Sequence, residues 1–209
     1  MADEKPSRNM LKLARILAWV LVVLAIVGIA ALMLYPKTPA TGPEATQTTT
    51  RASFGGPFTL VGSDGKPFSS QALEGKPYAI YFGFTRCGDV CPTTLSRLVK
   101  LRRQAANDQA LRIVFVTIDP ANDGPKEVGQ YAELFGAPII GLTGSQAQID
   151  QVKRQYGIYA QPVPHAAMGK QMEHTATVLL FGRDGRFDST FTPDETDASA
   201  LAKMKALVA

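Results

Sequence analysis

The chain contains two cysteines, Cys87 and Cys91, which lie four residues apart at the end of an apolar, aromatic segment. That segment is typical of a strand, and the residues after the pair are typical of a helix. If this corner is helical, the two Cβ atoms lie about 5–6 Å apart, whereas a relaxed disulfide needs about 3.8 Å. Two thiolates that bind one metal ion tolerate the wider spacing. The pair therefore predicts a metal site, a labile redox pair, or both.

A purely structural disulfide is the competing interpretation of this pair. The stabilisation from closing a loop grows with the number of residues in the loop, and this bridge would enclose very few. Gly88, Asp89 and Pro92 also mark an irregular, exposed turn rather than a packed interior. We therefore favour a chemical role for the two thiols.

Residues 16–35 form an apolar run without a charged side chain. As a helix, this run is about 30 Å long, enough to cross the hydrocarbon core of a bilayer. Trp19 and Tyr35 lie near its ends, where aromatic side chains favour the membrane interface. We predict a single transmembrane helix over residues 16–35, preceded by a tail over residues 1–15.

The charges on either side of this run predict its orientation. Residues 1–15 carry four basic side chains, whereas Lys37 is the only one between the run and Arg51. The positive-inside bias then keeps the N-terminus in the cytoplasm and exports the rest of the chain. A cleaved signal peptide is the alternative, but its apolar segment is usually shorter, about 7–15 residues, and ends at a small-residue cleavage site. A mitochondrial presequence is disfavoured because the leader carries acidic residues.

The composition changes twice after the apolar run. Residues 36–52 are rich in Pro, Thr and Gly and predict a flexible linker. Residues 53–209 are enough for one domain with its own core.

The net charge of the whole chain is +4. Four of the 22 basic and two of the 18 acidic residues precede the apolar run, so the residues after it carry a net charge of +2. No basic cluster interleaved with aromatic residues is present, which argues against nucleic-acid binding.

The pattern over residues 53–209 predicts an α/β fold with an N-terminal β-hairpin, whose turn contains an Asp-Gly step. Further strands are expected over 78–84, 111–117, 139–142 and 175–181, the last followed by a second hairpin turn, and helices from Pro92, over 126–135, from Ser145 and over 198–208. This alternation predicts that much of the sheet is parallel. Functional sites lie beyond the carboxyl ends of such strands, which is where the cysteines fall.

A third metal ligand would come from a distant part of the sequence. The chain has two histidines, His165 in a Pro-rich loop and His174 at the start of the strand expected over 175–181. A single histidine is more often a surface or core residue than a ligand, so residue type leaves both candidates open.

Short motifs follow one another in a fixed order through residues 55–209. In order, the motifs are Phe58-Thr59-Leu60 with the first hairpin, Tyr81-Phe82-Gly83-Phe84-Thr85, the pair Cys87 and Cys91 followed by Pro92, Thr117-Ile118-Asp119-Pro120, Tyr156-Gly157-Ile158-Tyr159, and Glu173-His174-Thr175. Each motif is short, but the ordered set is highly specific, and it resembles the Sco/SenC family of membrane-anchored copper proteins. The similarity covers nearly all of residues 55–209, and the single predicted anchor agrees with it.

The resemblance implies a thioredoxin-like fold in which Cys87, Cys91 and His174 bind one copper ion, as Cu(I), Cu(II) or both. It implies delivery of copper to the binuclear copper centre of cytochrome c oxidase, or preparation of the cysteines of that centre. The expected partner is the copper-bearing subunit of the oxidase or another copper chaperone. The expected location is the bacterial inner membrane, with the domain in the periplasm. The ligand types agree, because thiolates favour Cu(I) and imidazole binds either oxidation state.

Two positions depart from the family pattern. Gly88 stands where the family commonly has Pro, which predicts a looser turn with easier copper release or disulfide closure. Glu173 stands where the family commonly has Asp before the histidine. It preserves the charge and either acts beside the ligands or is a solvated carboxylate.

Several other residues carry less specific signals. Met168 and Met172 lie near His165 and His174, where thioethers and imidazole offer a route for passing copper onward, although Met is also an ordinary gap-filling residue. Asp119 and Asp123 resemble a family loop near the site, and turn formation explains them equally well.

Two functions are compatible with these residues. The first is a copper-binding metallochaperone, and the second is a thiol–disulfide oxidoreductase that acts on partner cysteines through Cys87 and Cys91. The cysteine spacing exceeds the Cys-x-x-Cys of thioredoxins by one residue, which weakens the second. A peroxidase and a Cys2His zinc site are further alternatives. Replacing His174 by Ala separates the first two, because a pure dithiol exchanger keeps working and a copper carrier loses its metal.

Overall fold

The structure is a computed structural model that describes residues 8–34, 54–107, 109–163 and 171–209. The chain divides into two compact units, residues 1–50 and 51–209. The described part of the first unit is helix α1 (Arg8–Leu34). Within the described ranges, no helix is both long and apolar enough to cross a membrane. The transmembrane helix expected over 16–35 stays a prediction, and the linker expected over 36–52 lies outside the described residues.

The second unit alternates strands and helices along most of its length. In chain order its elements are β1 (Thr59–Gly62), β2 (Pro67–Ser69), a short 3-10 helix (Ser70–Leu73), β3 (Tyr78–Gly83), α2 (Val90–Ala105), β4 (Arg112–Thr117), α3 (Pro125–Glu133), β5 (Ile140–Thr143), α4 (Gln146–Gln155), β6 (Ala160–Val163), β7 (Gln171–His174), β8 (Val178–Phe181), β9 (Phe187–Phe191) and α5 (Asp197–Val208). Seven strands form one sheet in the order β2-β1-β5-β4-β3-β8-β9, and β6 pairs with β7 in a separate two-stranded sheet.

The predicted α/β class and both predicted hairpins are confirmed. Strand β1 pairs antiparallel with β2, and β8 pairs antiparallel with β9. The sheet has fewer parallel pairings than expected, because among the described strands only the β3–β4 and β4–β5 pairs are parallel. The flanking strands β1 and β8 are antiparallel to their central neighbours. Only α2 and α3 act as the crossovers that parallel pairing requires, so the parallel part ends with the three strands that they connect.

The central strands are buried because helices cover both faces of the sheet. Every residue of β3 is buried. On one face, Tyr131 of α3 packs against Phe115 of β4, with ring centroids 5.1 Å apart. On the other, Tyr156 at the end of α4 packs against Phe82 of β3 at 5.7 Å. Helix α5 packs against α2.

Two element boundaries near the predicted site differ from the sequence expectation. Helix α2 begins at Val90 rather than at Pro92, and a proline is tolerated there because N–H groups in the first turn have no partner within the helix. The strand expected over 175–181 begins only at Val178. His174 instead is the last residue of β7, where it pairs with Ala160. The next residue, Thr175, donates its main-chain N–H to the carbonyl oxygen of Tyr159.

Candidate metal centre

The two cysteines lie at the corner between β3 and α2. Cys87 is half-buried in the turn before the helix, whereas Cys91 is the second residue of α2 and is completely buried. Both thiols are free. The main-chain N–H of Cys91 donates a hydrogen bond to Cys87 Sγ over 3.4 Å. The geometry of two residues on one helical face therefore does not apply, because Cys87 precedes the helix.

Gly83, the last residue of β3, makes room for the buried thiol. A Cβ atom at this position would lie 2.9 Å from Cys91 Sγ and 3.1 Å from the side chains of Phe115 and Tyr81. These distances are shorter than van der Waals contact, so any side chain here would push Cys91 away. No role was predicted for Gly83 from the motif that contains it. The available signal was a glycine in an otherwise bulky buried strand, which often marks a close approach.

The third candidate ligand, His174, reaches the cysteines from the β6–β7 sheet. Its Nε2 atom lies 3.5 Å from Cys91 Sγ. Its Nδ1 atom lies 3.0 Å from the carbonyl oxygen of Thr175. A carbonyl can only accept a hydrogen bond, so Nδ1 carries the proton and Nε2 directs a lone pair towards the cysteines. A metal-binding histidine is typically oriented by such a bond from its other nitrogen.

Two aromatic rings hold the imidazole of His174 in place. Phe84 packs against it edge-to-face, with centroids 5.9 Å apart and planes at 82°. Tyr81 packs in a similar way at 6.2 Å and 67°. Both residues belong to the aromatic motif before the cysteines. In the sequence, however, an aromatic residue that orients a ligand looks the same as one that only packs in the core.

The ligand atoms of Cys87, Cys91 and His174 all lie within 4.8 Å of one another. Metal–sulfur bonds of about 2.3 Å and metal–nitrogen bonds of about 2.0 Å place three ligand atoms around one ion at separations of about 4 Å. The three ligand atoms are therefore within about 1 Å of this geometry. Two sulfurs and an imidazole form a donor set for a soft or borderline ion.

Burial controls the protonation of the two interior ligands. Burial, together with the neighbouring Cys87 thiol, raises the pKa of Cys91 to about 12. It lowers the pKa of His174, an effect that the hydrogen bond to Thr175 partly opposes. At neutral pH Cys91 is therefore protonated and the imidazole of His174 is neutral. An ion that binds must displace the Cys91 proton, while His174 can bind without losing one.

The other residues singled out in the sequence have simpler surroundings. Met172 is half-buried in β7 and packs against the core, and Glu173 is exposed. Because side chains alternate along a strand, Glu173 points away from the face that carries His174. Gly88 is exposed, and a Cβ atom there would meet nothing within 4 Å. His165 and Met168 lie outside the described residues.

The fold and the site together define a thioredoxin-like α/β protein with a Cys2His cluster beyond the end of its central strands. Residues 46–209 match the family model of SCO1/SenC, and the chain therefore belongs to this family. The resemblance found in the motifs is thereby confirmed.

Similarity to individual proteins agrees with this assignment. ScoI of Bradyrhizobium japonicum, whose structure has copper bound, is 37% identical; the match covers 74% of this chain and 99% of that one, with a TM-score of 0.67. ScoI of Arabidopsis thaliana, also with copper bound, is 28% identical, with coverages of 75% and 98% and a TM-score of 0.70. The mitochondrial SCO1 homologue of Homo sapiens is 34% identical over 154 residues, which are 72% of this chain and 51% of that protein. The chain spans about half the length of the curated relatives it matches.

Proposed function

We propose that this protein is a copper-binding metallochaperone of cytochrome c oxidase assembly that holds copper through Cys87, Cys91 and His174. The convergence of their ligand atoms within 4.8 Å carries the proposal. Soft thiolates select Cu(I), and the imidazole accommodates either oxidation state. Membership in the SCO1/SenC family and similarity to two copper-bound ScoI structures support copper over zinc.

The burial of the three ligands suggests how copper leaves the site. Cys91 is completely buried, whereas His174 and Cys87 are half-buried, and Cys87 lies between the exposed residues Arg86 and Gly88. A ligand of a receiving protein can therefore approach on the Cys87 side. Copper then moves by ligand exchange, in which the incoming ligand binds before Cys87 departs. The proposed recipient is the copper-bearing subunit of cytochrome c oxidase or another copper chaperone.

Copper binding by matched histidine variants tests this proposal. The chain has two histidines, so His165→Ala serves as the control for His174→Ala. We expect the wild-type protein and His165→Ala to bind one copper ion per chain, and His174→Ala to bind it at least about tenfold more weakly, in line with the cost of disturbing a metal site. Chelator competition gives the affinity and elemental analysis gives the stoichiometry. Unchanged affinity in His174→Ala would show that the imidazole is not a ligand.

Thiol–disulfide exchange is the second candidate function. Two free cysteines lie in contact, one accessible and one buried, as a pair of attacking and resolving thiols requires. Cys87 thiolate would attack a partner disulfide and release one partner thiolate. Cys91 would then displace the other, so that the partner gains two electrons and this protein forms its own disulfide. Exchange that survives in His174→Ala, together with weak copper binding in the wild type, would favour this function.

We also propose that residues 16–35 anchor the protein in the bacterial inner membrane, with residues 1–15 in the cytoplasm and the domain in the periplasm. The charge-free run and the excess of basic residues before it support this orientation. A C-terminal fusion to an enzyme that is active only in the periplasm should be active, and the protein should require detergent for extraction. An inactive fusion that is present in full amount would contradict the orientation.

A further inference from the structure

The carboxylate of Asp123 is buried in the loop between β4 and α3. Its Oδ1 atom accepts a 2.6 Å hydrogen bond from the Thr85 hydroxyl. Its Oδ2 atom accepts bonds from the Thr85 N–H over 2.9 Å and from the Thr117 hydroxyl over 2.6 Å. A buried carboxylate is costly unless its oxygens are satisfied, and these three donors meet that requirement.

The partners of Asp123 come from the ends of all three parallel strands. Thr85 follows β3, Thr117 ends β4, and Thr143 at the end of β5 donates its hydroxyl to the Asp123 main-chain carbonyl over 2.6 Å. Asp123 therefore joins the edge of the sheet at which the two cysteines lie. Thr85 is the partner closest to the site, two residues before Cys87.

A second carboxylate in the same loop binds the next residue of the cysteine turn. Asp119 forms an ion pair with Arg86 over 2.6 Å, and the Asn122 amide donates to both of its oxygens over 2.9 Å. The β4–α3 loop therefore binds both Thr85 and Arg86, which are the two residues immediately before Cys87. We call Thr85, Arg86, Asp119 and Asp123 the carboxylate latch.

Cys87 is the ligand that most needs such support. Cys91 is fixed in a helix, and His174 ends a paired strand. Cys87 belongs to neither kind of element, and the residue after it, Gly88, is exposed and has no side chain to restrain the turn. On the helix side, Cys87 Sγ accepts the hydrogen bond from the Cys91 N–H, and on the N-terminal side the turn is held by the latch.

We propose that Asp123 is a positioning residue, which through Thr85 keeps Cys87 Sγ within ligand distance of Cys91 and His174. This inference rests on the proposed copper site but assigns a task to residues that do not contact the metal. It also explains how the site stays assembled although Gly88 replaces the more rigid Pro. The ion pair of Asp119 with Arg86, which is half exposed, is the weaker part of the latch.

Two threonines allow a matched test on the full-length protein. Thr85→Val removes a half-buried 2.6 Å hydroxyl bond to the Asp123 carboxylate, and Thr143→Val removes a buried one of equal length to the Asp123 carbonyl. Thr85→Ser restores the hydroxyl. We expect Thr85→Val to lower Cu(I) affinity about tenfold, the lower end of what outer partners of a metal site contribute. Thr143→Val and Thr85→Ser should stay within about threefold of wild type.

A second readout does not depend on copper. In the reduced, metal-free protein, Thr85→Val should change the rate at which a thiol reagent modifies Cys87 by at least threefold, whereas Thr143→Val should not. Equal effects of Thr85→Val and Thr143→Val in both readouts would overturn the latch and leave only a contribution to stability. A third outcome is that the wild-type protein binds no copper, while Thr85→Val still differs from Thr143→Val in the reactivity of Cys87. This outcome would overturn the copper proposal and retain the latch.

Discussion

Cys91 Sγ and His174 Nε2 lie 3.5 Å apart, although 83 positions separate the two residues in the chain. Both side chains are held by the interior, Cys91 against Gly83 and His174 between two aromatic rings. Cys87, in contrast, lies in an exposed turn. The site thus combines a preformed pair of ligands, Cys91 and His174, with a third, Cys87, whose neighbours Arg86 and Gly88 are exposed. A carrier that has to bind and release an ion benefits from this division, because exchange at one ligand leaves the others in place.

Gly83→Ala should disturb the preformed pair. The added methyl group would lie 2.9 Å from Cys91 Sγ, and overpacking of this kind typically costs about 1–3 kcal/mol of stability. We expect a lower free energy of unfolding by about this amount, and weaker Cu(I) binding because the sulfur is displaced from His174. Denaturant unfolding and chelator competition measure the two effects.

Gly88→Ala is the control for that substitution, because a Cβ atom at this position meets nothing within 4 Å. It should leave stability within about 0.5 kcal/mol of wild type, as exposed substitutions usually do. If Gly83→Ala behaves in the same way as Gly88→Ala, the close packing of β3 against Cys91 is not important for the site.

Copper affinity should rise with pH across the neutral range. The pKa of Cys91 is raised to about 12 by burial, so below that pH each copper ion must displace the Cys91 proton. Loss of one proton per ion increases affinity about tenfold per pH unit. The pKa of His174 is lowered, so the imidazole is already neutral near pH 7 and adds no proton to this release.

Measurements of Cu(I) affinity between about pH 6.5 and 9 test this expectation. A slope of at least one decade per pH unit agrees with displacement of the Cys91 proton, and a flat profile contradicts it. Proton release into a weakly buffered solution during copper addition provides an independent measurement on the same protein.

Arg97 should stabilise the domain without affecting copper. Its guanidinium donates to the carbonyl oxygens of Thr192 and Pro193, each over 3.2 Å, and lies 4.9 Å from the centre of the Phe191 ring. It thereby connects α2 to the segment between β9 and α5. Hydrogen bonds that involve a charged group contribute about 1.5–3 kcal/mol, so Arg97→Ala should lower the free energy of unfolding by about 2 kcal/mol.

Arg103→Ala is the matched control on the same helix, because the exposed Arg103 makes one side-chain hydrogen bond within the described ranges, to the Gly136 carbonyl. Its substitution should cost less than about 1 kcal/mol. Copper affinity should equal that of wild type in both variants. A loss of affinity in Arg97→Ala at temperatures where the protein is folded would show that this cluster influences the site after all.

Local sequence patterns predicted the elements that lie next to the cysteines. The continuous run at Tyr78–Gly83 indicated a buried strand, and the Asp-Gly steps indicated two hairpins, because burial on both faces and tight turns depend on neighbouring residues. The β6–β7 sheet was missed. Each of its strands has only four residues, and β6 contains Pro162, which argues against a strand in the sequence.

The sequence by itself predicted the ligand types of this protein: two thiols at a strand–helix corner, and a histidine that a family motif distinguishes from the other one. It did not predict how the ligand atoms are oriented, because the orientation of His174 depends on a carbonyl and two rings that folding brings together. The requirement for a glycine at position 83 and the hydrogen bond of Asp123 to the cysteine turn also arise only from folding. Close packing joins residues that no spacing along the chain relates, and it sets distances to within an ångström.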